Sequence, residues 1–121
     1  MIRKIDHMVI TTAQLPACIA FYEALGFRAQ EASGRWELFA GDFKINVHRK
    51  GQELMPKAEN VQTGSADLCF EIDDPLALRA LLKSGLEIEL GPVTRHGVRG
   101  EMQSLYLRDP DGNLIELCSY A

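Results

Sequence analysis

The residues with the widest chemical reach in this sequence are three histidines, three cysteines and one glutamate in an unusual place. That glutamate, Glu116, interrupts the apolar run Leu114-Ile115-Glu116-Leu117. On a strand it faces either water or the interior, where a partner or a metal ion must offset the cost of burying its charge. Cys18, Cys69 and Cys118 are widely spaced and set among apolar neighbours. No pair has metal-knuckle or redox spacing, so all three read as reduced core residues. Residues 94–100 (TRHGVRG) are basic and glycine-flanked, and read as a loop. From it Arg99 or Arg95 could meet a carboxylate or phosphate through paired N–H groups. His96 in the same loop reads as a surface residue.

The elements that must position these groups follow from hydrophobic periodicity. Residues 5–12 are apolar and β-branched and read as a strand. Leu15, Ile19, Tyr22 and Leu25 have helical spacing, Pro16 suits a first turn, and Gly26 suits a left-handed terminus. Three short strands then fit 27–32, 35–40 and 43–48, divided by Ser33-Gly34 and Gly41-Asp42. After a polar loop the order returns: a strand over 66–72, a helix over 76–83 closed by Gly85, and strands over 86–90, 103–108 and 114–119. Asp109-Pro110-Asp111-Gly112 between the last two has the residues of a tight reversal.

The chain therefore reads as two βαβββ modules in one α+β domain, 1–121. Module one spans about 1–50, a loop 51–64, and module two about 65–121. A four-stranded sheet with one helix leaves a face open, so the two modules are expected to pack with curled sheets around a cleft. A ferredoxin-like sandwich also repeats βα units but normally has fewer than these eight strands.

Composition narrows the partners. The 121 residues are 46% hydrophobic and 25% charged, ordinary for a globular chain. Thirteen basic and 17 acidic residues are intermixed, with net charge −4, which argues against a nucleic-acid surface and for a small-molecule partner. No apolar run approaches the ~20 residues that span a bilayer, and no secretory leader is visible. The expected location is the cytoplasm, with no membrane partner.

Three stretches resemble one known family: the opening IDHMVITT, the helix end FYEALGF, and the hairpin LYLRDPDGNLIEL. Together they resemble the vicinal-oxygen-chelate superfamily of glyoxalases, bleomycin-resistance proteins and dioxygenases. GSADLCFEI and RHGVRGEMQ further resemble its glyoxalase-domain branch with bacterial virulence-associated members. The resemblance implies a divalent metal ion (Mn, Ni, Zn or Fe) held by His7, Asp67 and Glu116 on three strands. For the fourth ligand the sequence departs from the pattern. Overlaying 43–48 on 113–118 puts Asn46, a neutral amide, opposite Glu116, with His48 two residues further along the same face. Counting His48, the implied metal ligands are His7, His48, Asp67 and Glu116.

The implied activity is that of a glyoxalase-like lyase or isomerase, with Glu116 as the base. The rivals are a metal-free binding protein of the bleomycin-resistance type and a ring-cleaving dioxygenase. Without His48 the two-histidine, one-carboxylate set of a non-haem iron oxygenase is not met. Arg99 and Trp36 are the expected substrate contacts, with Phe39, Phe43, Met102 and Tyr106 as further pocket walls. Arg108 is expected to pair with Asp109 or Asp111. Small relatives commonly pair, so a homodimer is expected.

Overall fold

A computed structural model describes residues 1–120. The element order is β1 (His7–Thr12), α1 (Leu15–Ala24), β2 (Arg28–Ala32), β3 (Arg35–Ala40), β4 (Phe43–Arg49), β5 (Asp67–Glu71), α2 (Pro75–Leu82), β6 (Leu90–Gly97), β7 (Gly100–Arg108) and β8 (Leu114–Ser119). This is βαβββ twice, in the α+β class that the periodicity implies. Two compact units form: Met1–Ser65 with Asp109–Gly112, and Ala66–Arg108 with the chain from Asn113 onward.

The first unit carries the sheet β1-β4-β3-β2. Its outer pair β1–β4 is parallel and the remaining pairs are antiparallel. Side chains alternate across a strand, so Ile10, Leu38, Ile45 and Val47 share one face and are buried. Helix α1 adds Cys18, Ile19 and Tyr22 to the buried set. It ends where Gly26 takes φ +104 and the Phe27 N–H donates back to the Tyr22 carbonyl at 3.0 Å. That closure needs a residue that tolerates a left-handed backbone.

The Asp109–Gly112 turn links β7 to β8 but belongs to the first unit. Tyr22 donates its hydroxyl to Asp109 at 2.6 Å, with both residues buried. Asp111 accepts from the Thr12 hydroxyl and, at 3.0 Å, from the Ala13 N–H. Gln14 donates to the Pro110 carbonyl at 2.8 Å. Tyr22 and residues 12–14 thus close one polar lock on the Asp109-Pro110-Asp111 turn. Burial, and then the Asp109 carboxylate, push the Tyr22 hydroxyl far above its ordinary range.

The second unit carries the sheet β5-β8-β7-β6. Leu105, Leu107, Ile115 and Leu117 line its buried face, and α2 contributes Leu78. The Asp74 side chain caps α2 by accepting from the Leu76 N–H at 2.8 Å.

One strand departs from the sequence reading. A strand at 86–90 followed by a loop at 91–100 is expected; β6 instead runs Leu90–Gly97 and pairs with β7 through His96 opposite Glu101. Gly91-Pro92 looks like an ordinary break. Here it sits in a register shift between Leu90 and Val93, so the strand continues past it as a bulge.

Candidate functional site

In the first unit, the face opposite the buried residues presents the unassigned chemistry. Ladder register sets His7 beside Lys44, Val9 beside Asn46 and Thr11 beside His48. From β3, Glu37 stands opposite Asn46, and Phe39 opposite Lys44. His7 is exposed at its side chain, and its Nδ1 lies 2.8 Å from an oxygen of Asp6. That hydrogen bond holds the Asp6 carboxyl below its usual range. A carboxylate on one imidazole nitrogen fixes the ring and leaves Nε2 for a ligand. Glu37 is engaged by Lys44. Asn46 Oδ1 is buried and without a hydrogen-bond partner, the one such side-chain atom among the described residues. Buried acceptors are normally satisfied, so this oxygen awaits a donor or a cation.

A cavity of about 470 Å³ opens on this unit, bordered among others by Arg35, Trp36, Glu37, Asn46 and His48. Trp36 was expected to contact substrate. It pairs with Val47, on the side of the strand that carries buried Leu38 and Ile45, is half-buried, and is among the residues that border the cavity. Phe43 packs on Phe27 with ring centroids 6.0 Å apart and is half-buried.

The second unit repeats the geometry. Asp67 lies opposite Leu114, two residues before Glu116 on β8; His7 lies opposite Lys44, two residues before Asn46 on β4. Asp67 with Glu116 and His7 with Asn46 thus hold equivalent places on one face of each sheet. The overlay of Asn46 on Glu116 rests on this same register. Glu116 accepts a hydrogen bond from the Ser104 hydroxyl at 2.6 Å. Tyr106 stands opposite Glu116 in the ladder, and the Arg95 Nε–H donates to its hydroxyl at 3.0 Å. Desolvation raises the Tyr106 hydroxyl; the Arg95 hydrogen bond opposes this and the Glu116 carboxylate adds to it.

Cys69, opposite Glu116, is exposed rather than part of the core, which corrects the reading of three core thiols; Cys18 and Cys118 are buried. Its strand alternates so that Leu68 and Phe70 take the inward positions. Burial of the sulfur, then Cys118 and Glu116, push the Cys69 thiol well above its ordinary value.

Other expectations meet different partners. Arg99 is engaged by Glu71 through two bonds of 3.1 and 2.7 Å and stacks 4.2 Å over the Tyr120 ring, in a hairpin rather than a free loop. Arg108 pairs with Glu89 at 3.0 and 3.2 Å. Met102 is buried.

The histidines of the first unit are not brought together. His48 lies four ladder steps from the row of His7, which is about 13 Å along a strand and too far for one ion. Among the described residues no group of three or more His, Cys, Asp or Glu side chains is gathered closely enough to hold a metal. Taken unit by unit, the donor types are those that suit a divalent ion: an imidazole nitrogen of His7 and the unpartnered Asn46 oxygen in the first, the carboxylates of Asp67 and Glu116 in the second. Sequence reasoning passed over Ser104 and Asp6. For Ser104 the available signal was period-two alternation along β7, where Ser104 and Tyr106 interleave with Leu105 and Leu107.

Residues 4–117 match the Glyoxalase/Bleomycin resistance protein/Dioxygenase superfamily, and the chain belongs to it. The glyoxalase domain-containing protein RDO1 of Mycosarcoma maydis is 47% identical over 98% of this chain and 69% of its own length. The virulence protein STM3117 of Salmonella typhimurium is 44% identical over 99% of this chain and 86% of its own. Its crystal structure superposes with a TM-score of 0.93, covering 100% of this chain and 99% of that one. An integron cassette protein from the mobile metagenome of V. cholerae is 46% identical with a TM-score of 0.92, covering 100% and 98%.

Proposed function

We propose that this chain is a divalent-metal-dependent lyase or isomerase of the glyoxalase type, acting on a small oxygenated substrate. The observation that carries the reading is the repeated ladder position: His7 with Asn46 in one unit, Asp67 with Glu116 in the other. Its proposed metal ligands are His7, Asp67 and Glu116, with the unpartnered Asn46 oxygen as the fourth donor. His48, set apart from His7, is assigned to the substrate cavity instead. A bound Mn, Fe, Ni or Zn ion would draw charge from adjacent substrate oxygens. Glu116 is the proposed base. The Ser104 hydroxyl donates to one of its oxygens at 2.6 Å and holds the carboxylate in place. Cytoplasmic location and a homodimer belong to the same proposal, supported by unbonded cysteines and by exposed apolar side chains such as Ile5 and Val9 flanking His7.

A second reading, a metal-free binding protein of the bleomycin-resistance type, is favoured by the neutral amide of Asn46 at the counterpart of Glu116. Thermal unfolding with stoichiometric Mn²⁺, Ni²⁺ or Zn²⁺ separates the two. A ligand selective for the folded state raises the melting temperature, and His7→Ala and Glu116→Ala are each expected to remove most of that rise. If both variants respond like the parent, the ligand assignment is wrong and the binding-protein reading stands.

A further inference from the structure

On the open face of the first unit, Arg35 and His48 occupy neighbouring positions. They flank the paired residues Trp36 and Val47, Arg35 preceding one and His48 following the other, so both project from the opposite side of the sheet. Both border the 470 Å³ cavity, a volume suited to a small molecule. Glu37, the carboxylate on the same strand, is neutralised by Lys44. Arg28, Arg95, Arg99 and Arg108 each bond a side-chain acceptor or hydroxyl. Arg35 has no such partner among the described residues, and neither do Arg3, Arg49 and Arg79. Of these only Arg35 and Arg49 border the cavity, and Arg49, next to His48 on β4, projects from the other side of the sheet. A chain of net charge −4 therefore keeps an unpaired guanidinium beside an imidazole, both on the border of one cavity. On the same face, two residues before His48, the buried Asn46 oxygen is an acceptor with nothing to accept.

We propose that these residues form an oxyanion subsite, and that the ligand of this face is a small acid. Its carboxylate or phosphate-like group is held by the Arg35 fork and the His48 ring. A hydroxyl or N–H group of the same molecule donates to Asn46 Oδ1. His48 stands two residues beyond Asn46 on β4, so the acidic group lies about 7 Å along the strand from that contact. His7 stands on the far side of Asn46, which places the acid at the opposite end of the molecule from the proposed reacting oxygens. The inference deepens the glyoxalase-type reading, because it names the substrate class and the direction in which the substrate lies.

The test is calorimetric titration of the metal-free protein with succinate, inorganic phosphate and neutral succinamide. At least one anion is expected to bind and succinamide not to; the preferred anion identifies the group as a carboxylate or a phosphate. Arg35→Gln is expected to weaken that anion about tenfold, as loss of a bidentate charge-assisted contact should. Arg35→Lys should recover part of it, and His48→Gln should weaken it less than Arg35→Gln. Arg99→Gln should leave it unchanged. Equal affinity in the parent and Arg35→Gln, succinamide binding as tightly as succinate, or no anion binding at high millimolar concentration each overturn the subsite. The metal-induced melting shift, recorded on the same samples, reports separately on the enzyme reading. Arg35-dependent anion binding without a metal shift sinks only that reading, whereas a metal shift without anion binding sinks only the subsite.

Discussion

Replacing Tyr22 by phenylalanine removes one oxygen from the lock between α1 and the Asp109–Gly112 turn. The ring stays, so no cavity opens, and the effect isolates the 2.6 Å hydrogen bond to Asp109. Tyr22 is 0% and Asp109 4% exposed, so water cannot replace the lost donor. Asp109 keeps the Asp111 N–H at 3.0 Å, which spares part of the penalty. A hydrogen bond to a carboxylate contributes about 1.5–3 kcal/mol, and the middle of that range, about 2 kcal/mol, is the expected loss. For a chain of this size that corresponds to a fall in melting temperature of about 8 °C. Thermal unfolding followed by circular dichroism reads it directly. A fall below about 2 °C would show that the hydroxyl is solvated or re-bonded and that the lock contributes little.

Further outcomes follow from the same geometry. Gly91→Ala places a Cβ 2.5 Å from the Ser104 carbonyl oxygen at φ +121, and should cost about 2–3 kcal/mol by urea unfolding. Glu116→Gln should abolish turnover of a thiol-adducted α-ketoaldehyde while leaving the urea midpoint near that of the parent. The same variant should speed alkylation of Cys69 by iodoacetamide, because it removes one of the charges that raise the thiol; an unchanged rate would place Glu116 away from the sulfur. Asp42, Glu71 and Glu89 are held below their ordinary values of 3.8 and 4.5 by Lys4, Arg99 and Arg108. Their stabilising contributions are present above those values and lost as pH falls through the lowered ones, so a pH titration of the urea midpoint should be level near neutrality and decline below about pH 4.5. Sedimentation at micromolar concentration should show a dimer; the 13.5 kDa species alone would refute it.

Much of the architecture was legible because each module announces its own period. The helix of the first module needed only Leu15, Ile19 and Tyr22 at helical spacing and Gly26 at its end, and β3 needed only the breaks at Gly34 and Gly41. β6 was misplaced because glycine and proline at positions 91 and 92 read as a stop, and only pairing with β7 shows that the strand resumes. Among site residues, the equivalence of Asn46 and Glu116 could be set from a sequence overlay. The separation of His48 from His7 could not, since it depends on which residue of β4 lies beside β1. Arg99, engaged by Glu71 and Tyr120, shows the same limit. A side chain's type gives its chemistry, but its face and its partner come from register and from the hairpin that carries it.

Whether this family member uses a metal ion is decided by elemental analysis of protein purified without metal-affinity handling. About one divalent transition-metal ion per chain is expected in the parent, falling to a small fraction in both His7→Ala and Glu116→Ala. Metal-free parent protein that also takes up none on dialysis against Mn²⁺, Ni²⁺ or Zn²⁺ would contradict the metal-dependent reading and leave a binding protein in its place.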